Sequence, residues 1–190
     1  MSKQHLIFEG PELAGKSWIM SQVYENLEAK YHQSDVFLDG CHWFNCDLGI
    51  YGTEQGKGVI ENYIKIFEEL RDKNILVEKF HLSDIVYSTI HRNQKLDYNE
   101  VEGKLLELGF KIVLVTFSEN RDLIAGRLAD RLRLYPHYGR ISKTVDGYLE
   151  QQQKYVAEIE KTKLPHIMIK TDMLPDKKLP KQILEWIGEV

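Results

Sequence analysis

Gly10-Pro11-Glu12-Leu13-Ala14-Gly15-Lys16-Ser17 satisfies the spacing G-x-x-x-x-G-K-[ST], with the apolar run His5-Leu6-Ile7-Phe8 ahead of it and a helical stretch from Trp18 to Tyr31 behind it. A strand, a glycine-punctuated turn and a helix, in that order, form the context in which this spacing holds phosphate. Gly10 and Gly15 let main-chain N–H groups converge on phosphate oxygens, and the new helix adds the positive end of its dipole. Pro11, Glu12, Leu13 and Ala14 complete the loop. Lys16 is placed to reach β and γ phosphates, and the Ser17 hydroxyl to ligate Mg²⁺. A plain turn with a surface lysine is the competing explanation, and the complete motif at the first strand of the chain argues against it.

Outward from this loop, short β-branched runs alternate with longer segments of helical period. The runs are His5–Phe8, Asp35–Leu38, Asn74–Val77, Lys111–Phe117 and His166–Ile169. Between them Trp18–Tyr31, Val59–Arg71, Val101–Leu108 and Val145–Ile159 read as helices, and a last helix lies near Lys181–Ile187. This alternation predicts a three-layer α/β fold of the P-loop NTPase type with a five-stranded parallel sheet. No repeat, low-complexity tract or Ser/Pro linker divides the 190 residues, so one domain over 1–190 is expected.

Two stretches break the alternation. Residues 40–58 hold Trp43, Phe44 and Tyr51 among five glycines, and a loop this long inside a compact domain is usually functional or mobile. Trp43, Phe44 and Tyr51, with Tyr63, offer flat apolar surface to wall in a nucleobase, although such residues more often belong to a core. The second stretch, about 127–143, carries Arg127, Arg131 and Arg133 before the breakers of Tyr135-Pro136-His137-Tyr138-Gly139. Arg127 and Arg131 are four apart on one helix face and can address one polyanion, as a lid over a phosphoryl group would; an ordinary exposed helix face is the alternative.

The formal net charge of −4 argues against a general nucleic-acid or anionic-membrane binder, since both need a standing excess of cations. No apolar run approaches the ~18 residues that span a bilayer. The start, Met1-Ser2-Lys3-Gln4-His5, leads into too short an apolar run for a secretory segment, so a cytoplasmic location is expected. Cys41 and Cys46 are the two cysteines; a disulfide between them is conceivable, but reduced thiols are the commoner state in such a chain.

Asn74-Ile75-Leu76-Val77-Glu78-Lys79-Phe80 is a buried run ending in an acid, a base and an aromatic. Ligands of parallel sheets bind beyond the carboxyl ends of strands, which aims Glu78 and Lys79 at the site; a solvated ion pair is the alternative. Asp39-Gly40 follows the second run and reads either as a site carboxylate or as a turn.

Phe8-Glu9-Gly10-Pro11-Glu12-Leu13-Ala14-Gly15-Lys16-Ser17 resembles the P-loop of thymidylate kinases, E-G-x-D-G-x-G-K-S/T, with Glu12 for Asp and Leu13 for Gly. Glu78-Lys79-Phe80 looks like the D-R-[YF] segment of that family and the E-R-S segment of deoxynucleoside kinases, with Lys in place of Arg. A lysine supplies charge without the bidentate fork. The resemblance implies transfer of the ATP γ-phosphoryl group to a nucleoside monophosphate such as dTMP. It makes Lys16, Arg127, Arg131 and Arg133 charge stabilisers, Ser17 and Glu78 Mg²⁺ ligands, and Lys79 with Phe80 acceptor contacts. Thr171 and Asp172 fall where relatives surround the adenine. The runner-up is a deoxynucleoside kinase, in which Asp39 would be the base toward a 5′-hydroxyl. A non-catalytic NTP-binding module is a third reading. Small nucleotides are the partners implied, and since relatives are often dimers the resemblance allows a homodimer.

Overall fold

The computed structural model describes residues 3–189, so Met1, Ser2 and Val190 lie outside the described residues. Five parallel strands, β1 (His5–Glu9), β2 (His42–Asn45), β3 (Ile75–Glu78), β4 (Phe110–Phe117) and β5 (His166–Thr171), form one sheet in the order β2-β3-β1-β4-β5. The helices are α1 (Lys16–Tyr31), α2 (Gly56–Glu69), α3 (His81–Arg92), α4 (Asn99–Glu107), α5 (Arg121–Leu134), α6 (Val145–Ile159) and α7 (Lys178–Trp186).

The central strands read as continuous apolar runs because both of their faces are covered. Leu6 and Phe8 of β1, Leu76 of β3 and Val113 and Val115 of β4 pack with Ile19, Met20, Val23 and Leu27 of α1 and Ile183 of α7. The alternate residues, Ile7, Ile75, Val77, Ile112 and Leu114, pack with Ile60, Ile64 and Phe67 of α2, Val86 of α3 and Tyr155 of α6. One-residue alternation thus feeds two cores and makes three layers. The expected five-stranded parallel α/β fold is what forms.

β1 lies between β3 and β4, with His5 level with both Ile75 and Phe110. The chain leaves β1 toward β3 and β2 on one side and later adds β4 and β5 on the other. The carboxyl end of β1 is therefore the switch point where open parallel sheets carry their ligands, and Gly10–Ser17 begins there.

The second strand corrects the reading of the sequence. Val36, Phe37 and Leu38 are 78, 72 and 68% exposed and form no strand. Ser34 Oγ accepts the N–H groups of Val36 (3.1 Å) and Phe37 (3.0 Å), and Asp39 Oδ1 accepts those of Gln33 and Ser34. These short-range bonds give the backbone a turn in place of a ladder. The strand is His42–Asn45, so residues 40–58 comprise an edge strand, a turn and the start of α2 rather than one long loop. β2 stands between Cys41 and Cys46, both of which are free thiols.

Candidate active site

The loop after β1 curls through left-handed backbone at Gly10 (φ 131°), Leu13 (φ 66°) and Gly15 (φ 85°). Gly10 has no substitute: a Cβ there would stand 2.0 Å from the carbonyl oxygen of Val115. At Gly15 it would meet Leu174 Cδ1 at 2.2 Å. Leu13 takes up the left-handed conformation without being glycine, at some cost in strain.

Lys16 opens α1 and is buried, its Nζ donating to the carbonyls of Gly10 (2.7 Å) and Pro11 (2.8 Å). Burial, with the charge of Lys79 beside it, pulls this ammonium down to about 8, against the attraction of Glu78, Glu12 and Glu9. Ser17 Oγ donates to Glu78 Oε1 at 2.6 Å. The two residues expected to hold a metal therefore meet, one from the start of α1 and one from the end of β3. A hydroxyl and a carboxylate oxygen are the hard donors that Mg²⁺ takes.

Three cavities run together along the carboxyl edge of the sheet. The middle one, about 400 Å³, is lined by Lys16, Ser17, Glu78, Lys79, Asp47 and Arg131 among others. On the α5 side it meets a cavity of about 700 Å³ that shares Leu13, Gly15 and Arg131 and is walled by Arg127, Tyr135 and Asp172. On the other side it meets one of about 490 Å³ that shares Glu12, Asp47 and Lys79 and is walled by Tyr51, Tyr87 and Lys143.

A polar chain crosses the junction of the middle and third cavities. Lys79 Nζ donates to Asp47 Oδ2 (2.6 Å) and Tyr87 Oη (3.3 Å), Tyr87 donates to Glu12 Oε1, and Lys143 Nζ donates to Glu12 Oε2 (2.7 Å). Burial raises the Glu12 carboxyl, but the charges of Lys79 and Lys143 and the bonds from Lys143 and Tyr87 outweigh it and hold the group below its usual range. Burial likewise works against the Lys79 ammonium, and Tyr87, Asp47 and Glu12 more than compensate, so its pKa rises.

Lys79 has left-handed backbone (φ 57°), fixed from beneath by Glu9. Glu9 Oε1 accepts the N–H groups of Phe80 (2.9 Å) and Ser83 (3.3 Å), and its other oxygen accepts the Ser83 hydroxyl. Burial pushes the Glu9 carboxyl up, opposed by His81 and by these bonds.

Several expected site residues stand elsewhere. Asp39 precedes β2 and belongs to the turn after α1, where it also lies 3.2 Å from His32 Nδ1. α1 has 16 residues and so spans about 24 Å from the P-loop to that turn; Asp39 is at the wrong end of the sheet to serve as a base. The carboxylate beyond the second strand is Asp47. Phe44 and Phe80 pack in the core around Phe67, with ring centroids 5.3 and 5.5 Å from it, and Trp43 lies against Tyr24 of α1 at 5.8 Å. None of these three lines the cleft. Tyr51 does, with its hydroxyl 3.4 Å from the Lys79 carbonyl.

The arginines divide. Arg131 reaches the middle cavity and lies 5.5 Å from the ring centroids of both Tyr135 and Tyr138. Arg127 is no free clamp: its guanidinium donates to the carbonyls of Leu13, Thr171 and Asp172 and to Thr171 Oγ1, tying the P-loop to the segment after β5. Thr171 Oγ1 also lies 2.8 Å from the Ala14 carbonyl. Arg133 lines none of the three cavities; it is 71% exposed and paired at 3.3 Å with Asp130, which borders the one of about 700 Å³.

Asp47, Tyr87, His91 and Lys143 were not singled out from the sequence as site residues. Asp47 was obscured by the misplaced strand. Tyr87 and His91 lie one turn apart on α3, a spacing that a helix-face reading beginning at His81 brings together, and their rings stack at 5.7 Å.

Neither a protein-family profile nor a curated protein sequence matches the chain. Solved structures do. The YorR protein from Bacillus subtilis, in complex with phosphorylated GDP, superposes with a TM-score of 0.67 at 16% identity, covering 97% of this chain and 96% of that one. Deoxyadenosine kinase from M. mycoides, with the products dCMP and a flexible dCDP, gives 0.58 at 12% identity over 98% of this chain and all of its own. Thymidylate kinase from Ehrlichia chaffeensis gives 0.56 at 10% identity over the same shares. The chain thus has the α/β fold of the P-loop nucleotide and nucleoside kinases. No helix among the described residues is long and apolar enough to cross a membrane.

Proposed function

We propose that the chain transfers the γ-phosphoryl group of ATP, with Mg²⁺, to a nucleoside monophosphate, with dTMP and other deoxynucleotides as the first acceptors to test. The observation that carries this is the three-part cleft: cavities of about 700 and 490 Å³ flank a middle one lined by Lys16, Ser17, Glu78, Lys79 and Arg131. Lys16 would leave the carbonyls of Gly10 and Pro11 to bind the β and γ phosphates, and Arg131 would stabilise charge on the transferring group. Ser17 and Glu78 would hold Mg²⁺. Once bound, that ion would neutralise charge along the phosphates. Lys79, fixed by its backbone and by Asp47, would position the acceptor, and positioning with electrostatics is most of what phosphoryl transfer needs.

A second reading, phosphorylation of a nucleoside 5′-hydroxyl, is favoured by Asp47. That carboxylate lies beyond β2 beside the middle cavity, with one oxygen on Lys79, where a general base toward a hydroxyl would stand. Measuring acceptor-dependent ADP release over a panel of nucleosides and monophosphates separates the readings. Turnover with monophosphates supports the first and turnover with nucleosides alone the second. No acceptor dependence removes both and leaves an NTP-binding module.

A further inference from the structure

Lys143 is the one cation at the acceptor cavity that comes from the segment between α5 and α6. It precedes Thr144, whose Oγ1 caps α6 by accepting the Gly147 N–H at 3.1 Å, and its own N–H donates to Tyr148 Oη at 3.3 Å. Behind it the chain is anchored. Ahead of it lie Ile141, 67% exposed, and the 3₁₀ turn Pro136–Arg140, which buries no residue. The lysine stands at the junction between α6 and an exposed segment that touches α6 through the Tyr138 and Tyr148 hydroxyls, 3.1 Å apart.

An ammonium has three N–H donors. Among the described residues, Lys143 uses one on Glu12, and Lys79 uses two, on Asp47 and Tyr87. Both side chains line the same cavity and share Tyr87 between them, each ammonium within 5.6 Å of its ring centroid. Donors left over on two convergent cations, with Glu12 and Asp47 balancing their charge, describe a place that a phosphate can enter by taking N–H groups already turned toward it. Lys143 does not line the middle cavity that holds Lys16 and Ser17, whereas Arg131 does. Its ammonium borders the third cavity, held there by Glu12, which lines both cavities.

We propose that Lys143, together with Lys79, binds the phosphate of a phosphorylated acceptor, and that Glu12 is the counter-ion that holds Lys143 over the cavity when the acceptor is absent. This rests on the kinase reading above and commits it to a monophosphate acceptor. It also gives Glu12 a role distinct from ATP binding. A phosphate that takes up Lys143 loosens its hold on Glu12, so acceptor binding changes the tie between the P-loop and the segment leading into α6.

The test is calorimetric and needs no turnover. With the P-loop loaded with a non-hydrolysable ATP analogue, nucleoside 5′-monophosphates and the matching nucleosides are titrated into the wild type, Lys143→Ala and Lys143→Arg. The wild type is expected to prefer one monophosphate over its nucleoside by about 10–100-fold, the range of one or two charge-assisted bonds. Lys143→Ala should lose most of that preference, and Lys143→Arg should keep most of it. Analogue affinity and nucleoside affinity should stay within about twofold in both variants, a pattern that a merely structural role would not give. The proposal is overturned if Lys143→Ala keeps the full preference, if it loses analogue affinity instead, or if the wild type shows no preference for a phosphate. Failure of the analogue to bind the wild type would instead remove the kinase reading itself.

Discussion

Replacing Lys16 by Met should leave the ligand-free protein as stable as the wild type or more stable at neutral pH, while ATP binding is lost. On folding, the ammonium passes from an ordinary pKa of 10.5 to about 8. Its charged form is therefore disfavoured in the folded state by about 3 kcal/mol wherever both states are protonated, that is, below pH 8. Between about pH 8 and 10.5 the unfolded chain binds more protons than the folded one, so stability rises with pH across that window. Methionine removes this penalty but leaves the Gly10 and Pro11 carbonyls without their donor, at about 1–3 kcal/mol if no water replaces it. The net effect at pH 7 is a gain of up to about 2 kcal/mol for Lys16→Met, by difference. Urea unfolding of both proteins at pH 7 and pH 10 checks this. The difference should move by about 2 kcal/mol in favour of the wild type on going to pH 10, because the other titrating groups cancel. A difference constant within about 0.5 kcal/mol would mean that the ammonium keeps its ordinary pKa, and the reasoning about a dehydrated lysine held against its own loop would be refuted.

Three further contrasts follow from where the side chains stand. Asp39→Asn should leave acceptor kinetics within about twofold, whereas Asp47→Asn, which removes the charge partner of the buried Lys79, should lower acceptor kcat/KM by about 10–100-fold in steady-state assays. Arg131→Ala should reduce kcat by about 100-fold or more, as loss of a transition-state donor does, and Arg133→Ala, on an exposed ion pair, should change it little. Phe67→Ala should cost about 3–5 kcal/mol in urea unfolding, because the ring is fully buried among Phe44, Phe80 and Phe110, while Phe37→Ala should stay within about 0.5 kcal/mol.

Much of the fold was legible because its physics is local. β1 and β4 are buried on both faces and so read as unbroken apolar runs, and α6 was bounded at Val145 and Ile159 by its apolar spacing. The P-loop was legible because Gly10 and Gly15 answer to left-handed backbone and close contact, whatever lies around them. The second strand was not. Asp35-Val36-Phe37-Leu38 is the more strand-like string, but Ser34 and Asp39 bond to neighbouring main-chain N–H groups and turn it outward. His42-Trp43-Phe44-Asn45, an edge strand with only partial burial, lacks the apolar run that announces its neighbours. That one displacement put the carboxylate beyond the second strand at Asp39 instead of Asp47. The arginines misled for another reason: spacing placed Arg127 and Arg131 on one face correctly, but only tertiary contact decides that Arg127 is consumed by the carbonyls of Leu13, Thr171 and Asp172. Lys143 gave no local signal, since its meaning comes from Glu12, 131 residues away in sequence.

A direct titration of ATP with Mg²⁺ into the wild type and Lys16→Ala goes to the root of the functional reading. Saturable one-to-one binding by the wild type, weakened by about 100-fold or more in the variant, is the predicted result, because the lysine brings a full charge to the β and γ phosphates. Equal affinity in the two proteins, or no binding to either, would contradict it.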